Sequence, residues 1–426
     1  MLKTERTRRL FKEGSWIVFG QALMVVGSLA GVRLLTELLS PDAYGELALG
    51  MTIATLINQI ILGPLGGGIM RFYSSALEHD DIAGYLKAVK KLVLYATLII
   101  FLLAIFAVAG LVLSGQNQWI AITLSALAFA ILNGYSANLS GIQMAARQRS
   151  IVAIHQGIDP LLRSLVAGGL VLWLGMDSSV AMIGYAIAAL LILASQTFFF
   201  QQIIRNSRFS KNKRAWPDEI WQFSWPIGIF GVFTWLQLAS DRWALQIFAS
   251  TSEVGSYAVL YQLGYYPISL LTGMAMQFMV PILYQRAGDA SDNDRNADVS
   301  KLSWQLTGLS LGLTGITFIL AMLLHPIVFD IFVAKEYRSI SYLLPWIMVS
   351  GGVFASGQSL ASNLLAQMKT REMIAPKIIT AIFGLTLNFV GVYFYGIIGA
   401  VCAGVLFAIA YFLWMVLLVT NKKKHV

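Results

Sequence analysis

Three arginines, Arg33, Arg163 and Arg242, lie inside or at the rims of long apolar stretches. A guanidinium stays charged and binds phosphate oxygens two at a time, which makes it an anion-holding group in a low-dielectric path. A charge within a bilayer costs several kcal/mol unless it faces a cavity or finds a partner. The three are therefore the candidate substrate-binding residues. For Arg33 and Arg242 this reading competes with snorkelling to the outer interface, and for Arg242 also with a local pair to Asp241. Arg163 is deeper and closes a polar stripe. His155, Asp159 and Arg163 follow one another at i, i+4 steps, with Gln156 beside them and Pro160 loosening the backbone. Such a stripe must face protein or water. Carboxylates and imidazoles inside spans build proton relays and cation sites, so His155, Asp159 and Asp241 are the candidate coupling residues. The alternative is an Asp159–Arg163 pair that neutralises itself, with His155 at the interface.

A second cluster is conformational. Gly63, Pro64, Gly66, Gly67 and Gly68 precede Arg71 at a density that should bend a membrane helix. A hinge competes here with close helix packing through small residues. Other features read as ordinary: Lys422 to Lys424 as an anchor to anionic lipid, and Asp289, Asp292, Asp294 and Asp298 as a solvated linker without the Gly and terminal Glu of a calcium loop. His325 and Asp330 could line an outer mouth or pair.

The elements that must position these groups are membrane helices. The chain of 426 residues is 57% hydrophobic and only 12% charged, with mean hydropathy +0.71, whereas soluble chains carry about 25% charged residues. Apolar runs long enough to span fall at 15–38, 46–70, 91–113, 119–142, 151–174, 179–200, 221–240, 255–283, 304–330, 340–366, 375–395 and 397–420, twelve in all. The first is too long for a signal-peptide core and is expected to be retained. The rest of the chain leaves no room for a soluble domain, and the basic balance implies no nucleic-acid partner. The single cysteine, Cys402, excludes intramolecular disulfides and a cysteine metal site. No cofactor is expected beyond coupling to Na⁺ or H⁺. Of the 30 Lys and Arg, 25 fall on one side of this topology, which predicts both termini in the cytoplasm.

The halves of the chain match weakly. Arg33 to Leu49 resembles Arg242 to Val259, with Arg-to-Gly spacings of 12 (Arg33, Gly45) and 13 (Arg242, Gly255). The turns GIQMAARQRS and LLAQMKTREM likewise correspond, each followed by a glycine, Gly175 or Gly396. Six spans per half make the repeats parallel. The expected fold is an all-α polytopic membrane protein of twelve transmembrane helices in two parallel-repeat six-helix lobes around a central cavity. Residues 1–200 form the N-lobe, 201–220 a cytoplasmic linker and 221–426 the C-lobe.

These segments resemble the polysaccharide-biosynthesis flippases of the multidrug/oligosaccharidyl-lipid/polysaccharide exporter superfamily, the group that includes O-antigen flippases. The resemblance rests on Arg33-Leu34-Leu35 followed by Ser40-Pro41 and Tyr44-Gly45, on Gly141-Ile142-Gln143, on Asp241-Arg242-Trp243 with Glu253 to Tyr257, and on Met279 to Leu283. It implies transport of an undecaprenyl-diphosphate-linked oligosaccharide across the inner membrane, from the cytoplasmic to the outer leaflet, by alternating access. Polysaccharide assembly proteins are implied as partners. The two extra C-terminal spans of the family's lipid II flippase branch are lacking, which favours the twelve-span branch. No GxxxxGK[ST] loop is present, so direct ATP coupling has no visible site. A cation-coupled multidrug exporter of the same superfamily is the main alternative; an embedded polymerase or ligase would want larger outer loops, and no enzyme is expected.

Overall fold

The protein's structure is a computed structural model that describes residues 2–205, 214–287, 292–367 and 369–420. Arg208, Lys211, Lys213, Asp289 and Lys422 to Lys424 lie outside the described residues, as do the side chains of the basic N-terminal tail, Arg205, Pro281 and Arg371.

No strand occurs among the described residues. The helices are α1 (Leu2–Leu38), α2 (Pro41–Ile57), α3 (Gly63–Glu78), α4 (Ile82–Leu113), α5 (Ile120–Ala145), α6 (Arg149–Leu174), α7 (Ser178–Arg205), α8 (Trp216–Phe248), α9 (Thr251–Leu260), α10 (Tyr266–Ala287), α11 (Asn293–Phe332), α12 (Leu344–Ala366) and α13 (Ile374–Thr420). Backbone amides and carbonyls find no water in hydrocarbon, so a chain this apolar can only satisfy them within helices. Nine helices among the described residues are long and apolar enough to cross a membrane. One of these, α13, is broken at Gly396 (φ 54°, ψ −135°), a conformation open to glycine. With that break, and with α8 and the α9–α10 pair also of crossing length, the fold accommodates twelve passes. It is an all-α polytopic membrane protein.

The chain divides into two compact units, Met1–Trp235 and Leu236–Val426, the division falling within α8. In the first, α1 packs along α6, and α5 lies against α2, α3 and α7. Because lipid is as apolar as leucine, such contacts rest on close approach rather than on hydrophobic burial. A side chain at Gly20 or Gly27 would come within 2.6 and 2.9 Å of α6 backbone atoms of Ala153 and Leu161. In the second unit, α12 lies against α10, α11 and α13.

The two units repeat their local devices. Ser40 and Ser250, 210 residues apart, cap α2 and α9, each hydroxyl accepting the N–H three residues on at 3.2 Å. Downstream of each capped start, the helix widens into one π-helical turn, Asn58–Leu62 in one unit and Tyr261–Tyr265 in the other. In each unit a carboxylate from the capped helix also secures the start of a later helical segment: Glu46 accepts from Ser178 Oγ at the start of α7, and Glu253 from Ile397 N at 2.9 Å, just after the Gly396 break.

Candidate functional site

In the first unit α6 carries the expected stripe on one face. Asp159 and Arg163 pair at 2.7 Å, their side chains 18% and 20% exposed. The Arg163 guanidinium also lies over the rings of Phe129 and Tyr185, at 5.5 and 5.7 Å, a cation–π arrangement that helps hold a charge out of water. Its Nε is buried without a hydrogen-bond partner. Pro160 does not break α6, which runs through it; having no N–H, it leaves the Gln156 carbonyl without its helical donor.

His155 is buried, 7% exposed. Its Nδ1 donates to Ile151 O at 2.7 Å, and its Nε2 lies 2.9 Å from Ser195 Oγ. A neutral ring accepts the serine proton there, and a protonated ring donates instead. The imidazole lines two cavities. One, of about 110 Å³, is formed by α5, α6 and α7 and is walled by Asn133, Ser136, Ser140, Gln156, Asp159 and Gln196. Gln196 donates to Ser140 Oγ at 2.8 Å, while Ser136 Oγ and Gln196 Oε1 are buried without partners. The other, about 370 Å³, runs between α6 and α7 past Ser195 and Phe199. Oxygen donors around a carboxylate suit a hard cation or ordered water. No group of three or more metal-ligating His, Cys, Asp or Glu occurs among the described residues.

Arg33 is half-exposed and pairs with Glu37 at 2.6 Å along α1. Its repeat counterpart Arg242, in the second unit, is enclosed. The Arg242 side chain is 11% exposed and the Asp241 side chain 9%. Arg242 Nη1 donates to Leu238 O at 2.8 Å and to Asp241 Oδ1 at 3.3 Å, and Asp241 Oδ1 also accepts the Arg242 backbone N–H at 2.7 Å. The guanidinium lies 4.4 Å from the Tyr261 ring centre and 5.8 Å from that of Tyr257. Tyr261 stacks on Tyr265 at 4.5 Å and 15°. The two tyrosines bound the second π-helical turn, and residues four apart lie on one helix face. Arg242 thus rests on a tyrosine column that its own sequence neighbourhood does not reveal. A further cavity in this unit, about 270 Å³, lies between α10 and α12 and is lined by Ser269, Thr272, Phe354, Gln358 and Ser362. From Ile347 to Ala366, Gln358 is exposed while its neighbours along α12 are buried or half-buried.

The glycine cluster starts α3, directly after the first π-helical turn. Pro64 has no N–H for Gln59 or Ile60, the acceptors five and four residues back. Against those two carbonyls pack Gly228 and Gly231 of α8; a side chain at Gly228 would sit 2.6 Å from Ile60 O. Gly66 abuts the Asn138 amide and Gly68 abuts Ser224 and Ile220, whereas a side chain at Gly67 would meet nothing within 4 Å. Close packing therefore accounts for Gly66 and Gly68, and leaves Gly67 without a packing reason. His325 Nδ1 lies 3.0 Å from Ser341 Oγ, and Asp330 pairs with Arg338 at 2.7 Å.

A family model described as polysaccharide biosynthesis protein matches residues 10–286. No curated protein matches the chain. Among solved structures, a lipid II flippase MurJ in an inward closed conformation superposes with a TM-score of 0.73 at 14% identity, over 96% of this chain and 88% of that one. An inward-facing multidrug resistance MATE family transporter of the MOP superfamily gives 0.67 at 14% identity, over 97% and 96%. A MOP superfamily transporter from Pyrococcus furiosus gives 0.59 at 14% identity, over 97% and 95%. At these identities the likeness is one of fold.

Proposed function

The chain belongs to the polysaccharide biosynthesis protein family, and from that premise we propose that it is a flippase for an undecaprenyl-diphosphate-linked oligosaccharide. It would carry this cargo from the cytoplasmic to the outer leaflet by alternating access, with both termini cytoplasmic and without ATP hydrolysis. The observation that carries the reading is Arg242, a guanidinium enclosed by protein and resting on Tyr261 and Tyr257. Arg163, over Phe129 and Tyr185, repeats the arrangement in the other unit. A site that keeps cations charged out of water is one that can receive a diphosphate. Arg33, Arg163 and Arg242 take the phosphate contacts, and the Gln358 cavity takes sugar hydroxyls. Na⁺ or H⁺ binding at Asp159 and His155 supplies the driving force, by drawing Asp159 away from Arg163. Asp241 acts on Arg242 in the same sense, and Gly63 to Gly68 with Pro64 form the hinge.

In a strain lacking the protein, mass spectrometry of lipid-linked intermediates should find single complete oligosaccharide units accumulating on the cytoplasmic leaflet while surface polysaccharide disappears. Units on the outer leaflet would point instead to a polymerase or ligase acting downstream. A cation-coupled multidrug exporter is the second reading, favoured by the Asp159 carboxylate at a polar cavity. Increased drug sensitivity with no accumulated intermediate would select it.

A further inference from the structure

A further concavity in the first unit is apolar. A groove of about 880 Å³ runs between the π-helical turn with Pro64, the basic-flanked half of α4, and α8. Its walls are almost wholly apolar, with Ile60, Leu65, Ile99, Trp225 and Ile229 among them. Two facts keep it open. Gly228 and Gly231 draw α8 against the carbonyls of Ile60 and Gln59, while α4 stands off: only 11% of its most apolar stretch is buried. Along α8 the lining runs from Pro217 to Val232, about 22 Å at the helical rise, the depth of one leaflet with its head-group layer.

The charged residues of its lining are Lys91 and Asp218. Lys91 sits over the Tyr95 ring at 5.6 Å, and exposed Lys87 and Lys90 precede it on α4. No carboxylate, Asp218 included, pairs with Lys91 among the described residues. An apolar trough of this length with a lysine in its wall that no carboxylate pairs fits one long hydrocarbon chain with an anionic head. Resting on the flippase reading, we propose that this groove seats the isoprenoid chain of the lipid-linked cargo, with its phosphate toward Lys91. The protein then holds the cargo by its tail at α4 and α8 before the diphosphate leaves Lys91 for the arginines.

The test uses the full-length protein in nanodiscs of phosphatidylethanolamine and phosphatidylglycerol, with a diazirine-bearing undecaprenyl monophosphate as probe. Crosslinked peptides should map to α4 and α8, and unlabelled undecaprenyl phosphate should compete whereas added phosphatidylglycerol should not. Ile229→Trp, which fills the exposed groove wall, should cut labelling at least fivefold with unfolding temperature unchanged. Lys91→Gln should cut it about fivefold, the worth of one lysine toward an anionic lipid head. Labels elsewhere in the chain, equal competition by phosphatidylglycerol, or full labelling of Ile229→Trp would each overturn the proposal. The probe carries no sugar and the readout is binding, so a failed groove leaves cargo flipping untouched. A failed flippase reading shows instead as absent flipping with the groove still labelled.

Discussion

Removing one partner of the Asp159–Arg163 pair should have unequal consequences depending on which partner goes. The pair is made at 2.7 Å with both side chains about one-fifth exposed. Breaking a fully buried pair costs about 3–5 kcal/mol, and this partial exposure brings the expected cost of Arg163→Gln to about 2–3 kcal/mol. Asp159→Asn leaves the guanidinium over Phe129 and Tyr185, which retains about 1 kcal/mol, so its cost falls to about 1–2 kcal/mol. The double variant leaves two neutral amides within reach of each other and should cost only about 1 kcal/mol, giving a coupling of at least about 2 kcal/mol between the sites. Equilibrium unfolding of the purified variants in mixed micelles measures all three. Additivity within about 0.5 kcal/mol, or a costlier Asp159→Asn than Arg163→Gln, would refute the assignment of the aromatic platform and of the pair as the group's main stabilisers.

Gly67→Ala should slow transport while stabilising the fold by up to about 1 kcal/mol, because a methyl there meets open space and alanine favours the helix; Gly68→Ala should lose about 1–3 kcal/mol by crowding Ser224 and Ile220. Tyr261→Leu should weaken binding of a diphosphate head-group analogue about fivefold by removing the ring under Arg242, and Tyr261→Phe should restore it, both read by calorimetry. Gln358→Leu should lower oligosaccharide transport about fivefold, the worth of one hydrogen bond to a sugar hydroxyl. Retention of sugar-free undecaprenyl phosphate should stay as in the unaltered protein.

What could be read from the residues alone were features set by local chemistry. The α6 stripe follows from spacing, and the Asp159–Arg163 pair was one of its two open readings. The correspondence of Arg33 with Arg242 and of Gly175 with Gly396 was legible, and the serine caps at Ser40 and Ser250 sit within that same match. Gly396 and Gly175 do take positive φ (54° and 122°). The two π-helical turns were not legible, since an extra residue in a turn answers a tertiary demand. Gln358 was missed because burial inside a bilayer leaves no hydrophobic period: lipid-facing and core-facing positions are equally apolar. An exposed amide in a buried, small-residue span was the available signal. The cluster at Gly63 to Gly68 was visible, but not the π-helical turn at Asn58–Leu62 that precedes it, where the carbonyls left by Pro64 meet α8.

The most direct test is flipping by the purified protein in liposomes that contain an undecaprenyl-diphosphate oligosaccharide, with an external glycan-cleaving enzyme reporting which leaflet holds it. Exchange should be protein-dependent without ATP, respond to a Na⁺ or proton gradient, and fall at least tenfold in Arg242→Gln of unchanged stability. Full activity of Arg242→Gln, or no exchange by the unaltered protein under any gradient, would contradict the flippase reading.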